Sequence, residues 1–147
     1  MPPKFDSTAV NIIFIRTIGG EIGAVSSLAP KLGPLGLAPK KIGEQLSKAT
    51  TKWEGLKVIC KLIVRNRQAE VEVVPSSSVL ILKALSEPKR DRKKIKNVVH
   101  NGQLAFIDII KIAKMMKNKS CSIDLKGGIN EILGTAKSIG CIINKNN

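Results

Sequence analysis

The stretch LKVICKLIVRNRQAEVEVVP, residues 56–75, decides the fold of the first half of the chain. Its apolar and polar residues alternate on both sides of the dipeptide Asn66-Arg67. This alternation is typical of half-buried strands, and a tight turn between two of them makes an antiparallel hairpin. The predicted buried face consists of Leu56, Val58, Cys60, Leu62, Val64, Ala69, Val71 and Val73. Glu70 and Glu72 are then expected to face lysines of the preceding strand.

The residues before the hairpin supply one more strand and two helices. TAVNIIFIR, residues 8–16, reads as a strand. Residues 26–53 predict a short helix, a turn at Gly33-Pro34 and a longer helix. Pro39 fits the first turn of that longer helix, where a missing N–H does no harm. The predicted order of elements is therefore βααββ, with a small antiparallel sheet.

From Pro75 onward the sequence pattern changes from strands to helices. Helical patterns cover residues 76–86, 101–119 and 124–140, and strand propensity afterwards is confined to residues 141–144. An extended step containing proline favours a boundary between two units. We therefore expect an α+β protein with an N-terminal βααββ domain, residues 1–74, followed by a small C-terminal three-helix domain, residues 75–147.

The formal net charge of the 147-residue chain is +14, which indicates a polyanionic partner. Residues 1–74 carry 11 Lys and Arg against 6 Asp and Glu, and residues 75–147 carry 14 against 5, so the C-terminal domain is the stronger candidate. No apolar run approaches the ~18 residues of a membrane span, and residues 1–10 lack a signal-peptide core. A membrane is therefore not an expected partner, and we expect a cytosolic or nuclear protein. Aromatic residues make up only 3%, and Phe14, Trp53 and Phe106 are expected in the core.

The segment EPKRDRKKIKN, residues 87–97, concentrates positive charge between two predicted helices. A solvated loop is one interpretation of such a segment. Phosphate binding is the favoured one, because phosphates would neutralise and order a loop whose charges repel one another. The candidate phosphate-binding residues here are Lys89, Arg90, Arg92, Lys93, Lys94 and Lys96.

Glycine in the middle of the last predicted helix, EILGTAKSIG, residues 131–140, costs stability and so needs a reason. At helical spacing, Leu125, Ile129, Ile132, Ala136 and Ile139 point toward the core, while Gly127, Asn130, Gly134, Lys137 and Ser138 lie largely on the other side. That small polar face, with the neighbouring Thr135, would let the wide, shallow minor groove of RNA come close. The alternative is that Gly134 permits close helix packing.

Catalysis and metal binding find little support in the sequence. One histidine, no tyrosine and scattered carboxylates form no acid–base pair or triad, so no catalytic residue, cofactor or metal site is expected. The three cysteines are far apart and are expected to be buried, reduced thiols. GPLG and GEIG match the GxxG of KH domains, so a KH-like binder of single-stranded RNA is an alternative, and a basic RNA-processing enzyme is a more remote one.

Four motifs, LAPKLGPLGLAPKKIG, NRQAEVEVVPSSS, EPKRDRKK and EILGTAKSIGC, closely resemble the universal L-eleven family of large-ribosomal-subunit proteins in its eukaryotic form. They occur in the family's order and span almost the whole chain. The resemblance implies a non-catalytic protein of the ribosomal stalk base. Its C-terminal domain would grip large-subunit rRNA at the GTPase-associated centre, and its N-terminal domain would lie near the stalk protein and translational GTPases such as the translocation factor. DNA is not an implied partner.

The resemblance also implies site residues. The family's RNA-contacting helix falls on Gly134, Thr135, Lys137 and Ser138, to which we add Lys126 and Asn130, and its RNA-ordered loop falls on residues 90–97. Its proline-bearing helix, which faces an rRNA cleft, falls on Pro30, Lys31, Pro34 and Pro39. The start MPPK resembles a signal for removal of Met1 and methylation of Pro2. The implied location is the cytosolic ribosome, with nuclear and nucleolar transit during assembly. The pair Gly127-Gly128 leads us to expect a late start for the last helix.

Overall fold

A computed structural model describes residues 10–23, 25–85, 87–88, 95, 98–100 and 102–144 of the chain. The chain divides into two compact units, Met1–Pro75 and Ser76–Asn147. The N-terminal unit contains β1 (Asn11–Ile18), α1 (Val25–Leu32), α2 (Pro39–Ala49), β2 (Lys57–Arg65) and β3 (Gln68–Val74). Short 3-10 helices at Gly33–Leu35 and Thr51–Trp53 follow α1 and α2. The predicted α+β class and βααββ order are confirmed.

The three strands form one antiparallel sheet in the order β1-β2-β3. Its inner face carries the buried residues, which include Ile15, Val58, Cys60, Leu62 and Val64. Leu28 and Leu32 of α1 and Ile42 and Leu46 of α2 complete this aliphatic core. The alternation predicted for the hairpin is thus confirmed.

The opposite side of the sheet, which we call the outer face, carries the charged residues of the hairpin. Lys61 is opposite Glu72 in the register, and its Nζ lies 3.2 Å from the Glu72 carboxylate. The expected cross-strand pairing is therefore confirmed for Glu72, whereas Glu70 lies opposite Ile63 and not opposite a lysine. Asn66 and Arg67 have φ angles of 47° and 60°, which is the left-handed backbone that a two-residue hairpin turn requires.

The expected core positions of two aromatic residues, one in each unit, were wrong. Phe14 belongs to the outer face, where 57% of its surface is exposed, and Phe106 of the C-terminal unit is 36% exposed. The apolar neighbours of Phe14 in the sequence alternate between the two faces, so their presence did not indicate which face the ring itself would occupy.

The C-terminal unit packs three helices, α3 (Ser77–Ala84), α4 (Phe106–Met116) and α5 (Leu125–Ile139), around a small aliphatic core. Ile81, Ile109, Ile112, Ile132 and Ala136 are among its buried residues. Leu125 is 43% exposed, which corrects the expectation that it points into the core. It belongs to the first turn of α5, at the margin of the helix packing.

Two strands of three residues complete the C-terminal unit and correct the predicted helix over residues 101–119. Gln103–Ala105 forms β4, which pairs in parallel with β5, Ile142–Asn144, so α4 begins only at Phe106. The last three residues of that prediction, Lys117–Lys119, form a 3-10 helix. The helix was predicted too long because residues 103–105 satisfy their backbone groups with a strand 39 residues away, a pairing that leaves no local signal.

The end of α5 is fixed by Gly140. Its φ of 98° is left-handed, and the N–H groups of Gly140 and Cys141 both donate to the Ala136 carbonyl, at 3.2 and 3.1 Å. This is the common glycine termination of a helix, and it turns the chain directly into β5.

Candidate nucleic-acid interface

The exposed face of α5 is small and polar along its whole length. Lys126, Asn130, Gly134 and Lys137 are all exposed and lie within about 80° of arc at about 100° per residue. Apart from its own helix backbone and chain neighbours, no heavy atom of the described residues lies within 4 Å of the position that a Cβ on Gly134 would occupy. Gly134 therefore does not serve packing against the described part of its unit, and a groove could approach the helix backbone there.

Two hydroxyl groups border this face. Thr135 Oγ1 donates to the Glu131 carbonyl at 2.9 Å, and Ser138 Oγ donates to the Thr135 carbonyl at 2.7 Å. Each hydroxyl donates its hydrogen within the helix, so its oxygen lone pairs stay available. Thr135 and Ser138 can therefore accept hydrogen bonds, which suits a ligand that carries donors, such as the 2′-hydroxyls of RNA.

The two glycines at the start of α5 differ from Gly134. A Cβ on Gly127 would lie 2.7 Å from Ser122 Cβ, and a Cβ on buried Gly128 would lie 3.3 Å from Ser122 Oγ. Ser120 Oγ lies 2.7 Å from the Ser122 hydroxyl, within hydrogen-bond distance. It also donates a hydrogen bond to the Glu131 carboxylate of α5, at 2.7 Å. The glycine pair thus admits the preceding loop to the first turn of the helix. Because of this contact α5 begins at Leu125 and not late, and Gly127 belongs to a packed surface instead of the open one.

Six candidate residues of the basic loop, Arg90, Arg92, Lys93, Lys94, Lys96 and Asn97, lie outside the described residues. The described residues at its two ends are brought together. His100 Nδ1 lies 2.5 Å from Glu87 Oε2, and the His100 N–H donates to the Ile139 carbonyl at 3.4 Å. The loop therefore starts and finishes beside the C-terminal end of α5. The pairing of Glu87 with His100, 13 positions apart, has no local signature in the sequence.

The structure places a cation beside the proline-bearing segment that the sequence did not indicate. Pro30 and Lys31 in α1 and Pro34 in the following 3-10 helix are exposed, and Pro39 is half-buried in the first turn of α2, as expected. Arg67 Nε lies 3.7 Å from the position of a Cβ on Gly36, at the end of that 3-10 helix. The hairpin tip thus adds a cation beside the prolines. Arg67 stood out in the sequence only as a turn residue.

Three further features of the described residues bear on function: metal ligands, long apolar helices and cysteines. Among these residues, no three His, Cys, Asp or Glu side chains meet as metal ligands, and no helix is long and apolar enough to cross a membrane. All three cysteines are free, and Cys60 and Cys141 are buried as expected. Cys121 is exposed, which corrects the expectation for that residue, because it belongs to the loop before α5 and to no core element.

Comparison with known proteins gives the same assignment for both units. Residues 13–69 match the model of the ribosomal protein L11 N-terminal domain, and residues 73–143 match that of the ribosomal protein L11 RNA binding domain. The large ribosomal subunit protein uL11 of Caenorhabditis elegans is 59% identical over 143 residues, which cover 97% of this chain and 87% of that protein. For uL11x of Arabidopsis thaliana the identity is 57% over 144 residues, with coverage of 97% and 87%.

A third relative, uL11A of Schizosaccharomyces pombe, is 55% identical over 147 residues, which cover 100% of this chain and 89% of that protein. These matches run through both units in the order that the four sequence motifs indicated. They favour this family over the KH-like RNA binder and the RNA-processing enzyme. The chain belongs to the ribosomal protein L11 family.

Proposed function

We propose that this chain is a structural constituent of the large ribosomal subunit and binds large-subunit rRNA through its C-terminal unit. The observation that carries the proposal is the open polar face of α5, which lies within the segment that matches the RNA binding domain of the family. The names of the relatives, all large ribosomal subunit proteins, support the same assembly. As a member of this family the chain is not an enzyme, and it acts by binding.

Binding on this face would combine shape with charge. Gly134 leaves space for the RNA backbone, Lys126 and Lys137 supply cations for phosphates, and Asn130, Thr135 and Ser138 supply hydrogen-bonding groups. The basic loop adds phosphate contacts through Arg90, Arg92, Lys93, Lys94, Lys96 and Asn97. The convergence of the loop ends on α5, through Glu87 and His100, supports a single binding region.

The finer assignment concerns the stalk base. We infer that the rRNA bound is that of the GTPase-associated centre, and that the N-terminal unit lies near the stalk protein and translational GTPases such as the translocation factor. The exposed Pro30, Lys31 and Pro34, with Pro39 behind them, would face the cleft between protein and rRNA. The protein would work on cytosolic ribosomes after nucleolar assembly. Methylation of Pro2, a residue outside the described ranges, belongs to the same proposal.

The proposal is tested by titrating a large-subunit rRNA fragment that contains the GTPase-associated centre into the full chain at several salt concentrations. Lys126→Ala combined with Lys137→Ala is expected to weaken binding and to lower the salt slope by about 1 to 2 units, because each phosphate contact releases counterions. Lys111→Ala is the matched control, since that lysine lies on α4 and pairs with Asp108 at 3.0 Å. An unchanged slope for the double variant, or a chain absent from salt-washed large subunits, would contradict the proposal.

A further inference from the structure

The outer face of the N-terminal sheet has an apolar centre that is open to solvent. Ile12 stands opposite Ile63, and Phe14 and Arg16 stand opposite Lys61 and Ile59. Ile12 and Phe14 of β1 are 53% and 57% exposed, and Val10, the residue before β1, is 46% exposed. Single exposed apolar side chains are ordinary, but three at alternate positions beside Ile59 and Ile63 make a continuous patch, and such patches mark interaction sites.

The same strand forms one edge of the sheet. Among the described residues, β1 pairs only with β2, over the eight residues Asn11–Ile18. Proteins usually protect such an edge with charges or cover it with another segment, because an open apolar edge strand invites uncontrolled association. On β1 the outer face carries one charge, Arg16, toward its end. The described residues of the unit therefore leave the patch uncovered.

The charges around the patch indicate the chemistry of that cover. Exposed cations border it at Arg16 and at Lys57 and Arg65, the two ends of β2. Lys61, by contrast, is held in the ion pair with Glu72 of β3. Over β1 and the two ends of β2 the patch is thus apolar in the centre and cationic at the border, while exposed Glu70 of β3, opposite Ile63, adds one carboxylate on the remaining side. A complementary surface is apolar in the centre and carries carboxylates around it.

RNA matches this surface less well than protein does. Phosphates would meet the cations, but one phenylalanine among aliphatic side chains is a poor platform for stacked bases. Aliphatic side chains of a protein segment would instead cover Ile12, Phe14 and Ile63 and remove their surface from water.

We propose that the outer face around Ile12 and Phe14 docks an acidic amphipathic segment of a neighbouring protein in the large subunit. The inference rests on the proposed function only in placing the chain in that subunit. The docking site is on the N-terminal unit and uses none of the residues assigned to rRNA binding.

Photo-crosslinking within the assembled subunit tests the inference. The full chain with Phe14→p-benzoylphenylalanine is assembled into large subunits, which are purified, irradiated and analysed by mass spectrometry. The expected adduct is a protein segment in which apolar residues are flanked by Asp or Glu. Ile12→p-benzoylphenylalanine provides a second probe on the same face. Ile123→p-benzoylphenylalanine, at a residue that is 96% exposed on the other unit, is the control and is expected not to give this adduct.

A charge reversal then tests the cationic border. Lys57→Glu, combined with the Phe14 probe, is expected to lower the adduct yield by about tenfold, because like charges facing each other across an interface repel. Lys52→Glu, at an exposed lysine in the 3-10 helix before β2, is expected to leave the yield unchanged.

The possible results separate this inference from the proposed function. An adduct with rRNA or with a second copy of the chain, no adduct from either probe, or a yield that ignores Lys57→Glu would overturn the inference. Absence of both the unmodified chain and the probe variants from salt-washed subunits would overturn it together with the proposed function. A chain that is bound to the subunit but gives no protein adduct would count against the docking site alone.

Discussion

Substitution of Gly134 tests the proposed RNA surface at a single residue. No described residue outside the helix backbone and chain neighbours of Gly134 lies within 4 Å in the direction of a side chain, so a larger residue has space there. We expect Gly134→Val to keep the fold, since valine suits a helix at least as well as glycine. The affinity for the rRNA fragment is expected to fall by about 2 kcal/mol or more, because the methyl groups hold the groove away from its polar partners.

Two measurements on the same preparation check this prediction, thermal melting and titration with the rRNA fragment. Gly134→Ala is the graded control, because it adds one methyl group and should stabilise the helix by up to about 1 kcal/mol. If melting temperature and affinity fall together in the valine variant, Gly134 has a structural role and the open face of α5 is not an RNA surface.

The three cysteines provide a second prediction at the scale of single residues. Burial raises the pKa of the Cys60 thiol, and burial followed by the nearby Glu87 charge raises that of Cys141. A raised pKa leaves less thiolate, which is the reactive form, at neutral pH. We expect a maleimide reagent to label exposed Cys121 at least about tenfold faster than the other two. Mass spectrometry of the native chain checks this order, and denaturation should abolish the difference.

The first turn of α5 shows how an element depends on its neighbours. Gly127→Ala would place a Cβ 2.7 Å from Ser122 Cβ, in the loop that packs on the helix. We expect a loss of about 1–3 kcal/mol of unfolding free energy, typical of inserting a methyl group into a packed contact. Denaturant unfolding measures the loss, and Ser122→Gly in the same chain should recover part of it. A Gly127→Ala variant as stable as Gly134→Ala would show that this loop contact is not essential.

The proposed function of the basic loop is argued mainly from its high content of lysine and arginine. Lys93→Ala together with Lys94→Ala removes two of its cations and changes no residue of α5. The salt slope of rRNA binding is expected to fall by about 1 to 2 units, while the melting temperature stays constant, because mutually repelling charges do not stabilise the free protein. An unchanged slope would reject direct phosphate contact by these lysines and leave the loop as a solvated connection.

At the scale of the whole molecule, the two units are expected to divide the work. Removal of residues 1–75 should leave rRNA binding by residues 76–147 largely intact, because the stronger net charge and the open face of α5 both belong to that unit. The same truncation should impair stimulation of the GTPase activity of the translocation factor. Titration and a GTPase assay on reconstituted subunits separate the two effects, and parallel loss of both would contradict the division.

Much of the architecture follows from local patterns in the sequence. Alternation across Leu62 and Val71 determined which side of the hairpin is buried, because neighbouring residues in a strand point to opposite faces. The Lys61–Glu72 ion pair follows from the same register. The four motifs along the chain also indicate the family to which it belongs. The helical periodicity of α5 likewise indicated its buried side through Ile132 and Ala136, both of which are buried.

The tertiary structure decided what depends on distant parts of the chain. The pairing of β4 with β5, the Glu87–His100 contact and the approach of Arg67 to Gly36 join residues whose separation in sequence hides their proximity. Gly127 and Gly134 make the clearest case. At about 100° per residue they lie only about 20° apart around α5, so helical periodicity treats them alike. One faces Ser122 and the other faces open space, because the loop before the helix packs against its first turn and reaches no further.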